Sequence, residues 1–251
     1  MIVTTLLFLL QYAKKLMASP ESAYTDLVFS PKMDSRFRKA QRDRDNNNTL
    51  RSRIRYRLVR RNALKENNKS VAAECLHMIG VSFYQKGNYI KAESAYAKAQ
   101  EEFEELGAQD FVGFVLRDRG MNELKQGHFS VAEERIQESM TALRDRNQGH
   151  YGMSMVILGR IRAAAENPNQ NLEEAESHIQ EGIGILKETP ETFFLSTAYF
   201  DLAKVLQANA RRSEALSAIA KSEETLNSIS QTDFQDRREK LVTLQRQLLE
   251  G

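Results

Sequence analysis

The chain has 251 residues, 41% of them hydrophobic and 28% charged, with no Trp, 4 Pro and 12 Gly, a balance that excludes a small or disordered protein and favours long helices over β or α/β architecture. The formal charge of +2 hides an asymmetry: residues 1–70 hold 16 Lys or Arg against 6 Asp or Glu, and residues 71–251 hold 20 against 28. A single cysteine, Cys75, excludes an intrachain disulfide framework and is compatible with a reducing, cytoplasmic setting.

The opening run Met1–Leu10 is apolar but too short to span a bilayer. Lys14 and Lys15 follow it rather than precede it, which is the wrong order for a secretory signal. It reads as a helix with contacts at Leu6, Leu9, Leu10, Ala13 and Leu16; membrane contact through residues 1–10 is the alternative. Ser19-Pro20 and Ser30-Pro31 mark breaks, and Asp43–Asn48 is a polar loop. Thr49 begins a helix running to about Asn67. Ala40 lies forty residues before Gly80, which would make residues 1–69 a degenerate repeat, yet residues 34–45 are too polar for an ordinary buried first helix.

Residues 51–61 hold six arginines and no acid. Leu50, Ile54 and Leu58 form one apolar stripe at helical spacing, and Tyr56, Val59 and Ala63 form another on nearly the opposite side. The economical reading docks this helix on the chain's own acids Glu101, Glu102, Glu104 and Glu105. The functional reading makes Arg51, Arg53, Arg57, Arg60 and Arg61 an arm for an acidic protein, a membrane or nucleic acid.

From residue 70 the sequence repeats. Gly80, Gly120 and Gly159 are followed by Ala203, with Asn167–Asn171 as a local insertion. Each copy then offers a small residue (Ala92, Ala132, Ala175, Ala215) and a bulky one four places on (Tyr96, Ile136, Ile179, Ile219). Two antiparallel helices approach closely when a small residue on one faces a large one on the other. Ser130–Glu133 reads as a capping box, Thr189-Pro190 as a cap and first-turn proline, and Thr232–Gln235 as the start of a last helix. That helix has Phe234, Leu241, Leu244 and Leu248 on one side and Arg237, Arg238, Lys240 and Arg246 toward water.

Leu76, Ile79, Gly80, Phe83, Gly87, Tyr89, Ala92, Tyr96 and Ala99 resemble the tetratricopeptide repeat (TPR), in its long form of about forty residues. The resemblance implies an all-α right-handed solenoid: four helix pairs over residues 70–230, a capping helix over 231–251 and a helical N-terminal region over 1–69. It also implies a concave groove lined by the first helices. By register the groove would hold His77, Tyr84 and Gln85, then Arg117, Met121 and Lys125, then Arg160, then Phe200, Lys204 and Gln207. The cations among them suit a peptide bearing carboxylates; the alternative leaves them as face residues, some paired with Asp118, Glu123 or Asp201. The family's chaperone-tail clamp is not reproduced, because His77, Val81, Arg117 and Met121 occupy its slots.

The four histidines lack metal-ligand spacing, and no phosphate loop, dinucleotide fingerprint or nucleophile elbow is present. No catalytic, cofactor or metal site is expected. The expectation is a noncatalytic cytoplasmic scaffold binding a protein or peptide. Two further readings are a peptide-responsive regulator whose basic arm contacts nucleic acid or an acidic protein, and a membrane-associated assembly factor.

Overall fold

The computed structural model describes residue 27, residues 29–229 and residues 235–250, and among these there are eleven α-helices and no strand. The expected helix over residues 1–16 and the contact expected of Phe234 lie outside the described residues. The helices pack as successive antiparallel pairs: α1 (Pro31–Asp45) with α2 (Thr49–Lys65), α3 (Lys69–Gln85) with α4 (Tyr89–Glu105), and α5 (Gln109–Lys125) with α6 (Phe129–Leu143). Next come α7 (Gln148–Ala163) with α8 (Leu172–Lys187), α9 (Thr192–Ala208) with α10 (Arg212–Asn227), and then α11 (Gln235–Glu250). Each helix packs mainly on its chain neighbours, which makes the molecule a solenoid.

The small-to-bulky register holds the pairs together. A Cβ added at Gly80 would lie 2.5 Å from the Tyr96 ring, one at Gly120 2.7 Å from Ile136, and one at Gly159 2.6 Å from Ile179. In the last pair Ala203 and Ile219 are both fully buried in one cluster. A methyl group at Gly80 or Gly120 would displace the Tyr96 or Ile136 side chain, and at Gly159 it would also meet the Ala175 carbonyl oxygen, which the backbone holds in place.

A second periodicity organises the turns. Asn47, Asn67, Gly87, Gly107 and Gly127 all adopt positive φ, at a constant spacing of twenty residues. After each, the next amide donates five residues back, as from Asn48 to Asp43 O (2.7 Å) and from Asn88 to Phe83 O (3.0 Å). These are helix C-caps in the left-handed conformation, open at low cost only to Gly and Asn. Ala210 takes the same conformation, φ 56°, before α10.

Four local expectations need correction. Residues 34–45 form α1 after all, because an end helix needs to bury only one stripe, here Met33, Phe37 and Ala40. Helix α6 begins at Phe129 with His128 as its N-cap, so Ser130 sits inside the first turn and not at the cap. Glu191 is the N-cap of α9, while the Thr189 hydroxyl donates to Leu186 O (2.9 Å) and so finishes α8 instead. In α11, Leu241, Leu244 and Leu248 are buried as expected, but Arg237 is not simply solvated: it lies over the Phe200 ring at 5.0 Å.

Candidate binding groove

The groove follows from how the C-terminal ends of the first helices are filled. Four places after the reference small residue stand Tyr84 on α3, Leu124 on α5, Ala163 on α7 and Gln207 on α9. Where these are small, a gap opens. It is a groove of about 690 Å³ between the ends of α5, α7 and α9, with Leu124, Phe129, Ala163 and Val205 as apolar lining. Lys125, Arg160 and Lys204 reach it from three successive first helices. A second groove of about 410 Å³, between α9 and α11, takes in Phe200, Lys204 and Gln207.

Arg160 is not free. Its guanidinium donates to Asp201 on α9, with Nε at 3.2 Å, and contacts the Met121 sulfur on α5 at 3.2 Å. Lys125 and Lys204 are exposed and have no carboxylate partner among the described residues. Met121, Lys125, Arg160 and Lys204 are therefore brought together, and Phe200 and Gln207 adjoin them.

His77 and Arg117 do not join this group. They sit three residues before the reference glycine, a position that faces the neighbouring pair rather than the trough; Val156, its counterpart on α7, is fully buried. His77 is buried, with Nε2 at 2.8 Å from Asp118 and Nδ1 at 3.5 Å from Glu74. Burial alone would lower its pKa, but hydrogen bonds to Asp118 and Glu74 prevail and raise it to about 9. Burial likewise disfavours the Asp118 carboxylate, yet Arg117 and His77 hold its pKa well below the usual carboxylate range. Arg117 donates to Asp118 (3.1 Å) and to His150 Nδ1 (2.5 Å). Burial and the Arg117 charge keep His150 neutral, and its ring lies 4.0 Å from Phe114 and 5.0 Å from Phe194. Tyr84 is half-buried, 5.9 Å from the Tyr89 ring, and its pKa is pushed up to about 12 by burial; Gln85 is exposed.

The His77–Asp118 and Arg160–Asp201 pairs both link residues 41 apart on successive first helices. The sequence singles out Asp118 and Asp201 only as generic partners. What the two acids share is register: each stands two residues before the reference small residue of its helix, Gly120 or Ala203, and that is the signal that marks them.

In the basic helix α2, Arg60 is docked on the chain itself, at 2.8 Å from Glu102 and 2.6 Å from Ala72 O. Arg53 stacks over the Phe83 ring at 4.5 Å, and Arg55 pairs with Asp43 at 2.8 Å. Arg51, Arg57 and Arg61 have no carboxylate partner among the described residues. No group of three His, Cys, Asp or Glu among the described residues could hold a metal ion, and none of the described helices is long and apolar enough to cross a membrane.

No curated protein matches the chain significantly. Among solved structures it is similar to BtubC (BKLC) from P. vanneervenii, with 14% identity, 75% of this chain and 77% of that one covered, and a TM-score of 0.59. It is similar to the apo form of RapI, with 14% identity, coverage of 78% and 71%, and a TM-score of 0.61. It is also similar to the Rap conjugation gene regulator of the plasmid pLS20 in complex with the Phr* peptide, with 14% identity, coverage of 95% and 68%, and a TM-score of 0.60. At these identities the likeness is one of fold. The model of the MalT-like TPR region matches residues 62–249, most of the chain and all of α3 through α10. The chain belongs to the MalT-like TPR region family.

Proposed function

We propose that the chain is a noncatalytic cytoplasmic scaffold that captures a peptide segment carrying acidic side chains in the groove between α5, α7 and α9. The observation that carries this reading is the pairing of Lys125 and Lys204, exposed and without carboxylate partners among the described residues, with an apolar lining of Leu124, Phe129, Ala163 and Val205. An extended or helical peptide presents apolar side chains to such a lining and carboxylates to such a rim. Arg160 and Asp201 neutralise one another, so the positive potential of the groove comes from Lys125 and Lys204. The Rap relative solved with the Phr* peptide supports a peptide as the kind of ligand.

The test is fluorescence anisotropy with labelled Glu/Leu and Lys/Leu peptides of equal length. The Glu/Leu series should bind, and Lys125→Ala with Lys204→Ala should weaken it by roughly tenfold, since each exposed charge pair is worth up to about 1 kcal/mol. Equal affinity for both series, or a double variant that binds as well as the parent, overturns the assignment.

A further inference from the structure

The outer face of α2 is unlike that of any later second helix. Leu50, Ile54 and Leu58 are 64%, 49% and 53% exposed, a continuous row at i, i+4 and i+8 along the outermost line of the helix. Aligned on the positive-φ turn residues, the same three positions hold Ser130, Glu134 and Glu138 on α6 and Ser213, Ser217 and Lys221 on α10. On α4 only Ile90 is apolar there. The buried side of α2 is already served by Ser52, Tyr56, Val59 and Ala63, so the row is not needed for packing against the solenoid.

Cations flank the row. Arg57 and Arg61 lie along it, and Lys65 continues it. Beside it, between α1 and α2, runs a groove of about 460 Å³ lined by Arg36, Lys39, Arg55, Leu58, Arg61 and Lys65. Of these cations only Arg55 has a carboxylate partner among the described residues. Residues 31–66 carry thirteen Lys or Arg against four Asp or Glu, whereas residues 67–251 carry a net charge of −7. The two ends of the molecule therefore respond oppositely to an anionic surface.

We propose that the α1–α2 end is a docking surface for anionic phospholipid membranes. The row Leu50, Ile54 and Leu58 enters the headgroup–acyl boundary, the flanking side chains extend to lipid phosphates, and the α1–α2 groove receives a headgroup. Shape and charge together select this partner. The row is a ridge, which fits a broad soft surface, whereas a helical peptide needs a groove with an apolar floor. A nucleic acid duplex would gain from the cations but would leave the aliphatic row in water. Long basic side chains beside an aliphatic row are the pattern of interfacial binding, and the acidic remainder of the solenoid is held away from the bilayer by repulsion. The proposal is independent of the peptide groove at α5, α7 and α9.

The test is sedimentation of the full chain with vesicles of phosphatidylcholine alone and of phosphatidylcholine mixed with phosphatidylserine. The parent should partition onto the mixed vesicles at low salt, be released by added salt, and ignore phosphatidylcholine alone. Leu50→Ser with Ile54→Ser and Leu58→Ser should reduce partitioning by about tenfold or more, as should Arg57→Glu with Arg61→Glu and Lys65→Glu. All six sites are exposed, and circular dichroism should show both variants fully helical. No partitioning onto mixed vesicles at low salt overturns the proposal. So does partitioning that neither triple variant alters, and so does binding of polyglutamate or a DNA duplex by a chain that leaves the vesicles bare.

Discussion

Replacing His77 with Gln should remove most of the pH dependence of stability around neutrality. His77 is buried against Asp118 and Glu74, with Arg117 and His150 beyond Asp118. Its pKa rises from the ordinary value of about 6.5 to about 9 in the folded chain. The folded state thus holds a proton that the unfolded state has released. The resulting stability is fully present below about pH 6.5 and is lost as pH rises through about 9. At 1.36 kcal/mol per pKa unit the whole effect is roughly 3 kcal/mol, of which about half disappears between pH 7 and pH 8.5. His150 contributes little in that window, because it is already neutral in the folded chain at pH 7 and nearly so unfolded. Cys75, whose thiol pKa burial raises, adds a loss toward the alkaline end, but equally in parent and variant. Urea unfolding at pH 7 and pH 8.5 measures the difference. Gln retains an amide donor toward Asp118, so the variant should fold, be less stable at pH 7, and lose less stability than the parent between pH 7 and pH 8.5, by an amount on the order of 1–2 kcal/mol. An unchanged slope in the variant would refute the assignment of the buried proton to His77.

Gly159→Ala should destabilise the chain by about 1–3 kcal/mol, because its Cβ would fall 2.6 Å from the Ala175 carbonyl oxygen, which cannot rotate away. Gly184→Ala is the control: nothing lies within 4 Å, so helix propensity should stabilise α8 by up to about 1 kcal/mol, and thermal melts that rank the two variants otherwise would contradict the register. Ala210→Gly should stabilise by roughly 0.5–1 kcal/mol, since the left-handed strain at φ 56° is relieved at some entropic cost; a lower melting temperature would count against it. Ala163→Tyr should fill the groove as Tyr84 fills the matching position on α3, abolishing Glu/Leu peptide binding while stability stays within about 0.5 kcal/mol. Peptide binding at parental affinity would move the site elsewhere.

What could be read in the sequence was whatever is fixed by side-chain volume at a fixed period. Gly80 with Tyr96 and Gly120 with Ile136 specify a close approach by themselves, and these contacts are found as expected. The twenty-residue spacing of Asn47, Asn67, Gly87, Gly107 and Gly127 emerges only in the structure, because Asn46–Asn48 and Asn67-Asn68 each offer more than one residue that tolerates positive φ. Helix α1 was obscured because polarity was averaged over twelve residues, when burial depends only on Met33, Phe37 and Ala40. The caps lie a residue or two from the expected places: His128, two residues before Ser130, is the N-cap of α6, and the Thr189 hydroxyl donates to Leu186 O at the end of α8. The roles of His77 and Arg117 depend on side-chain direction: at three residues before the reference glycine a side chain points into the stack, at one residue after it toward the trough.

That directional rule accounts for where the solenoid is open. At the α3 and α5 end, His77, Asp118, Arg117 and His150 satisfy one another, and Phe114 and Phe194 enclose the last of them, so no charge remains for an outside partner. Removing one member would leave an uncompensated buried charge, which is far more costly than the intact cluster is favourable. The cluster therefore acts as a register lock between successive first helices. Toward α9 the lock is reduced to Arg160 and Asp201, and the side chains at the helix ends shrink from Tyr84 to Leu124 to Ala163. Positive potential is retained there on Lys125 and Lys204 while the volume that would have buried it is withdrawn. Closed packing and an accessible cationic groove are thus two outcomes of one repeat, set by the size of a single side chain per turn of the solenoid.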